Sequence, residues 1–195
     1  AREISPVTLP DGTVVSTDDG PRAGTVYEKI SALNPVFRPN GTVTAGNACP
    51  LNDGAAAVVI MSDTKAKALG LTPLARVVAT GVSGLSPEIM GLGPIEAVKN
   101  ALGYAKMSVS DIDLFEINEA FAVQVLGSAR ALGIDEDKLN VSGGAIALGH
   151  PFGMTGARIT ATLLNNLATH DKTFGVETMC VGGGQGMAMV VERLS

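Results

Sequence analysis

From residue 72 onward, apolar and polar positions switch repeatedly between strand-like and helical spacing. Leu74 to Gly81 reads as a strand, and Pro94 opens a helix running to about Ala105. Asp111 to Ile117 is the next strand. Glu119 to Leu132 follows as a helix with Phe121, Val125, Ala129 and Leu132 on one face and Gly133 at its end. Val141 to Ile146 leads into a turn at His150. Pro151 then starts a long helix whose apolar stripe is Ile159, Leu163 and Leu167. Two apolar stretches close the chain, Thr173 to Met179 and Met187 to Val191, joined at the glycine run Gly182-Gly183-Gly184. Strands alternating with helices predict an α/β layer fold.

The first 71 residues are patterned differently. Glu3 to Leu9 and Thr13 to Ser16 flank Pro10-Asp11-Gly12, a hairpin signal. Thr17 to Gly24 is a polar loop. Thr25 and Glu28 have capping-box spacing and open a short helix with Val26, Ile30 and Leu33 on one face. Asn34 to Asn40 is irregular. Ala55 to Met61 turns strongly apolar, and Val58 to Met61 reads as a strand buried on both faces. No other long apolar strand precedes it to pair with. Ser62 caps a helix that stops at Leu69-Gly70, and Thr72-Pro73 marks a domain boundary.

Composition narrows the class. The 195 residues are 46% hydrophobic and 4% aromatic with 24 glycines, which suits a buried sheet with small-residue packing and excludes disorder. A net charge of −5 disfavours nucleic acid as a partner. No apolar run reaches membrane-spanning length uninterrupted, and no signal peptide is recognisable. The chain lacks an initiator Met, as a fragment or processed chain would. The two cysteines, Cys49 and Cys180, show no C-x-x-C, so neither a disulfide between them nor a zinc site with His150 and His170 is expected. His170 reads as a solvated surface residue.

Three stretches carry candidate chemistry. Cys180 lies where a strand meets three glycines, a place where backbone N–H groups can approach a bound acyl oxygen. A buried cysteine in a tight hairpin explains that pattern equally well. His150, between Gly149 and Pro151 at a helix entry, is predicted to stay neutral, because the positive helix end disfavours imidazolium. Asn118 sits at a strand-to-helix junction, where α/β sheets bind ligands, though a plain N-cap reading also fits.

Taken in order, Asn118-Glu119-Ala120-Phe121-Ala122, Gly143 to Gly153 (with Gly149-His150-Pro151), and Cys180-Val181-Gly182-Gly183-Gly184 resemble the thiolase family over nearly the whole chain. The resemblance is to a second half, without the family's acyl-accepting cysteine. It implies the layered αβαβα thiolase fold. Residues 1–51 would end a loop domain, 52–71 would return to the N-terminal domain, and 72–195 would form a complete C-terminal domain. It further implies an acetyl-CoA acyltransferase or acetyltransferase, which cleaves a 3-ketoacyl-CoA with CoA or runs the reverse Claisen condensation. Cys180 would be the acid/base. His150 and an Asn118-held water would bind the thioester oxygen, and the Gly182 N–H would form half of a second oxyanion hole. Glu119 would either support the site through hydrogen bonds or simply suit a helix start.

Coenzyme A is the implied substrate, with no tightly bound cofactor and no metal. Arg22 matches a nucleotide-contacting position. Thr42 to Asp53, with Ala45 and Cys49, matches the pantetheine channel, although Cys49 stands where family members often carry serine. Met90, Ala120 and Phe121 complete the cofactor-binding set, and Phe152 and Met154 are bulkier than is common after the histidine. The partners implied are a first half and further copies of the complete enzyme. The expected location is the cytoplasm or an organelle matrix, in fatty-acid or steroid side-chain degradation, with actinobacterial steroid thiolases as one neighbourhood. The chain alone is expected to be inactive. The rivals are a decarboxylating ketosynthase, a non-catalytic CoA- or lipid-binding relative, and a stand-alone structural module.

Overall fold

The computed structural model describes residues 2–195. Its body is one four-stranded mixed sheet. The strands are β3 (Ala75–Gly84), β4 (Leu114–Ile117), β5 (Phe174–Val181) and β6 (Gln185–Arg193), after a small β1–β2 ribbon (Val7–Thr8, Val14–Val15). Their order in the sheet is β3-β6-β5-β4; β4 runs parallel to β5, and the other pairings are antiparallel. Helices α3 (Gly93–Ala105) and α4 (Ala122–Leu132) bury Ala97, Val98, Ala101, Val125 and Ala129 against Phe115, Ile117, Val176 and Val190 of the sheet. Helix α6 (Thr155–Thr169) closes the opposite face, where Leu163 and Leu167 meet Leu114 and Val191. The α/β expectation therefore holds, and the predicted stripe Ile159, Leu163 and Leu167 is fully buried.

Glycines set how closely these layers approach. A Cβ on Gly81 of β3 would collide with the Ala97 carbonyl and lie 2.5 Å from the Ala101 nitrogen in α3. Gly93 and Gly186 abut each other so closely that a Cβ on either would overlap the other strand or helix backbone. Close approach of backbone to backbone is a reason for glycine that holds even where φ is ordinary.

The expected hairpin forms, with Val7 opposite Val15 and Gly12 at φ +86°. Ser62 caps α2 (Asp63–Ala68), its Oγ accepting from the Lys65 N–H at 3.2 Å, and Gly70 follows at φ +65°. Four expectations need correction. The Thr25–Glu28 capping box is absent: α1 (Tyr27–Ser31) is capped by Val26, and the Thr25 hydroxyl donates to the Arg22 carbonyl at 2.7 Å. Its proposed apolar face is also only partly covered, with Val26 43% and Leu33 42% exposed.

Second, Val58 to Met61 forms no strand, and Val59 is 85% exposed. A strand needs a hydrogen-bonding neighbour, and none of the described residues supplies one. Third, the helix expected from Glu119 begins at Ala122. Asn118 to Phe121 stay outside the helix, and residues 47–49 pair with 120–122: the Cys49 N–H donates to the Ala120 carbonyl at 3.1 Å, and the Ala122 N–H to the Asn47 carbonyl at 2.9 Å. Asn118 is therefore not an N-cap. Fourth, α6 begins at Thr155, with Pro151–Met154 forming a turn ahead of it.

The glycine contacts generate a paired test by urea denaturation. Gly81→Ala should destabilise the chain by ~1–3 kcal/mol through overpacking. Gly103→Ala, on α3 with nothing within 4 Å of its Cβ position, should stabilise it by about 0.5 kcal/mol. Equal effects of the two substitutions would contradict this packing.

Candidate active site

The site forms around the carboxyl ends of β4 and β5. Asn118 continues β4 by one residue, its N–H donating to the Thr178 carbonyl of β5 at 2.9 Å. The residue is 1% exposed, yet among the described residues neither Oδ1 nor Nδ2 has a hydrogen-bond partner. A buried carboxamide left unmatched costs ~1–3 kcal/mol, so this pair of atoms suits a small polar guest.

Glu119 turns the opposite way. Its Oε1 accepts from Asn140 Nδ2 at 3.0 Å, and its Oε2 from the Ile146 N–H at 3.1 Å, inside the one-turn helix α5 (Ala145–Leu148). Asn140 in turn brackets the end of β4, its Oδ1 accepting from the Ile117 N–H and its Nδ2 donating to the Ile117 carbonyl, each at 2.9 Å. Glu119 thus ties the Asn118 segment to the helix that precedes His150. Gly144 has no Cβ because the Glu119 carboxylate lies where it would go, at 2.5–2.8 Å.

His150 follows Gly149, which sits at φ +97°. The His150 N–H donates to Asn52 Oδ1 at 3.1 Å, and Nδ1 lies 2.6 Å from Thr155 Oγ1. That hydroxyl also lies 3.0 Å from the Pro151 carbonyl. It has one proton to give, so donating to Pro151 places the imidazole proton on Nδ1, and donating to Nδ1 places it on Nε2. Either way Nε2 makes no hydrogen bond to a described residue. The ring stands edge-on to Phe152, centroids 5.1 Å apart. Burial, then the charge of Arg158, holds the imidazole below its usual range. The neutrality expected from the helix end therefore has another cause, since the turn 151–154 separates His150 from α6.

Cys180 lies on β5 opposite Gly186 and is 6% exposed. Burial pushes its thiol up, and Cys49 adds to that, so at neutral pH the sulfur keeps its proton. Cys49 is raised for the same first reason. Both are free thiols. Beyond Cys180 the exposed Gly182 opens the turn, with Gly183 and Gly184 at φ +87° and +86°.

The remaining predicted residues separate into two groups. Cys49, Ala120 and Phe121 meet in the short ladder described above, and Ala45 lies exposed in the adjoining turn 44–47. Phe121 also packs edge-on against Phe37 at 5.9 Å. Arg22 is exposed in its loop, Met90 is half-buried in a 3₁₀ turn at 87–92, and neither shares a hydrogen bond with that ladder. Among the described residues no hydrogen bond joins the His150 ring to Asn118 or Cys180. A groove of about 400 Å³ runs beside the histidine, lined by Leu51, Asn52, Asp53, Pro151 and Phe152.

Sequence reasoning missed Asn52, Asn140, Thr155 and a buried acidic pair. Glu116 and Glu177 are opposite each other on β4 and β5, facing α6. Glu116 Oε1 accepts from Asn166 Nδ2 at 3.0 Å, and Thr160 Oγ1 lies 3.0 Å from Glu177 Oε2. Burial pushes Glu116 up to about 8 and Glu177 to about 7, against the opposing pull of Arg158. An acidic residue within an apolar strand is the sequence signal that could have revealed them.

The result is an α/β scaffold with a protonated thiol near the end of β5, an unmatched carboxamide just past β4, and a neutral imidazole in the loop after α5. Profile comparison matches residues 71–193 to the thiolase C-terminal domain and residues 1–64 to the thiolase N-terminal domain. The chain belongs to the thiolase family and has its fold. It is 52% identical over 192 residues to the acetyl-CoA acetyltransferase of Escherichia coli (strain K12), covering 98% of this chain and 49% of that protein. The crystal structure of the Bacillus anthracis acetyl-CoA acetyltransferase superposes with a TM-score of 0.95 at 47% identity, covering 97% of this chain and 49% of that one. A human mitochondrial 3-ketoacyl-CoA thiolase in complex with CoA superposes at 0.90 and 44% identity, covering 97% and 48%. The chain thus spans about half the length of the relatives it matches.

The acidic pair sets a pH dependence. Raised carboxyls hold protons in the folded state that the unfolded chain releases above about 4.5, so their stabilising effect is present in acid and lost as pH rises through about 7 to 8. Glu116→Gln with Glu177→Gln should therefore raise stability at pH 8 relative to wild type, by on the order of 1 kcal/mol, with no gain at pH 5. Thermal melts at both pH values would show it; an equal change at each would contradict the protonated pair.

Proposed function

We propose that this chain is the second half of a thiolase. Joined to a first half carrying the acyl-accepting cysteine, it would cleave a 3-ketoacyl-CoA with CoA to acetyl-CoA and a shortened acyl-CoA, or run the reverse condensation. The observation that carries this reading is Cys180, a buried thiol held protonated beside a glycine turn. An acyl carrier at neutral pH works best as a thiolate, whereas a proton donor needs the S–H.

In the degradative direction, the nucleophile of the first half adds to the C3 carbonyl, and the C2–C3 bond breaks. The electron pair stays on C2 as the acetyl-CoA enolate, which takes the proton from Cys180. The Cys180 thiolate then takes the proton of an incoming CoA thiol, whose sulfur displaces the acyl group from the nucleophile. His150 Nε2 and a water on the Asn118 carboxamide hold the enolate oxygen. This role requires the Nε2–H tautomer, with the Thr155 hydroxyl donating to Nδ1. The Gly182 N–H faces the oxygen of the tetrahedral intermediate; one such donor contributes roughly 3 kcal/mol of transition-state stabilisation.

Coenzyme A is a substrate, not a resident cofactor. Its pantetheine would run along Ala45, Cys49, Ala120 and Phe121, with Met90 at the acyl pocket and Arg22 at the nucleotide. Residues 1–51 would end a loop domain, 52–71 would enter the first half's domain, and 72–195 would form the C-terminal domain. The exposed apolar run at Val59 and Ile60 supports that division, since pairing with the first half would cover it. The complete enzyme would associate with further copies of itself, in the cytoplasm or an organelle matrix, and its β-oxidation role would extend to fatty-acid or steroid side chains. A CoA-binding relative without catalysis is disfavoured by the presence of all three side chains. A ketosynthase is disfavoured because Cys180 stands where that class has a second histidine.

Mixing the chain with a first half and measuring 3-ketoacyl-CoA thiolysis tests the reading. Either half alone should be inactive. In the assembled enzyme Cys180→Ala should lower kcat by at least ~10³-fold, while the nucleophile still becomes acylated. Asn118→Ala and His150→Ala should be non-additive, because they serve one oxygen, with His150 the larger single loss. Wild-type thiolysis by the Cys180→Ala enzyme would refute the assignment.

A further inference from the structure

The loop carrying His150 is held from outside its own domain. Asn52 Oδ1 accepts the His150 N–H at 3.1 Å, and the same carboxamide fills the space where a Cβ on Gly149 would lie. Asn52 Nδ2 donates to the Asp53 carbonyl at 3.0 Å, which sets the plane of the amide. Two residues on, a Cβ at Gly54 would lie 2.7 Å from Pro151 Cγ and 2.8 Å from Met154 Sδ, so the 52–54 backbone lies directly against the 151–154 turn. On the other side, Thr155 meets the ring at Nδ1. The backbone at His150 and the ring are therefore fixed by different elements.

We propose that Asn52 is a positioning residue for His150. It acts through the main chain: its carboxamide sets where the backbone at 149–150 lies, and Thr155 sets the ring's rotation, so together they aim Nε2. Gly149 enters the histidine at φ +97° with its own N–H bonded to the Ala145 carbonyl at 2.8 Å, and the next N–H, that of His150, is the one Asn52 holds. Asn52 has no part in the bond-making steps. The catalytic consequence rests on the thiolase reading above; the hold on the loop does not.

Two readouts separate these parts. In the full chain, hydrogen exchange at the His150 amide should quicken in Asn52→Ala and return toward wild type in Asn52→Asp, which keeps the acceptor oxygen and gives up only the Nδ2 donor. In the assembled enzyme at pH 8, where the imidazole is neutral, Asn52→Ala should lower kcat by ~10–100-fold with KM changed less than about 3-fold, and Asn52→Asp should recover most of the loss. Unchanged His150 exchange in Asn52→Ala overturns the proposal, as does a kcat loss that Asn52→Asp fails to recover. If the wild-type assembly shows no thiolysis, the functional reading falls, and the exchange experiment still decides whether Asn52 holds the loop.

Discussion

The parallel pairing of β4 with β5 is the constraint on which the site depends. It places Glu116 beside Glu177 and Ile117 beside Thr178, and the Asn118 N–H to Thr178 carbonyl bond carries it one residue past the strand end. The carboxamide of Asn118 is thereby held on the strand next to the one that carries Cys180. Asn140 and Glu119 then couple that strand end to the helix leading into His150. Loss of register by one residue would turn the Asn118 carboxamide toward the opposite face of the sheet.

The protonation states follow from the same burial. Removing water disfavours the charged form of each group, so Cys180 stays a thiol, His150 stays neutral, and Glu116 and Glu177 sit near neutrality. Arg158 is the cation common to the histidine and both acids. Its charge depresses imidazolium formation while drawing the carboxyls down. The region around Arg158 therefore carries little fixed negative charge.

The layered fold was legible because residues 72–195 obey local rules. The stripe at Ile159, Leu163 and Leu167, and the glycine turn after Cys180, appear where periodicity puts them. Two of the failures fall where a distant segment intervenes or is lacking. Cys49 pairs with Ala120 in the stretch where local propensity predicts helix. Val58 to Met61 has strand propensity, but a strand also needs a neighbour to accept its hydrogen bonds. Asn52 was illegible because it meets the His150 backbone from 98 positions away; Thr155, only five positions on, was missed because a continuous helix from Pro151 was expected where a turn forms.

As a proton donor, the role proposed for it, Cys180 must keep its S–H at neutral pH, which an acyl carrier need not. Ultraviolet titration of its thiolate, in a Cys49→Ser background so that one thiol reports, measures this directly. Burial places the expected midpoint above the ~8.5 of a free cysteine. A midpoint well below neutrality would mean a resident thiolate, and would contradict that role.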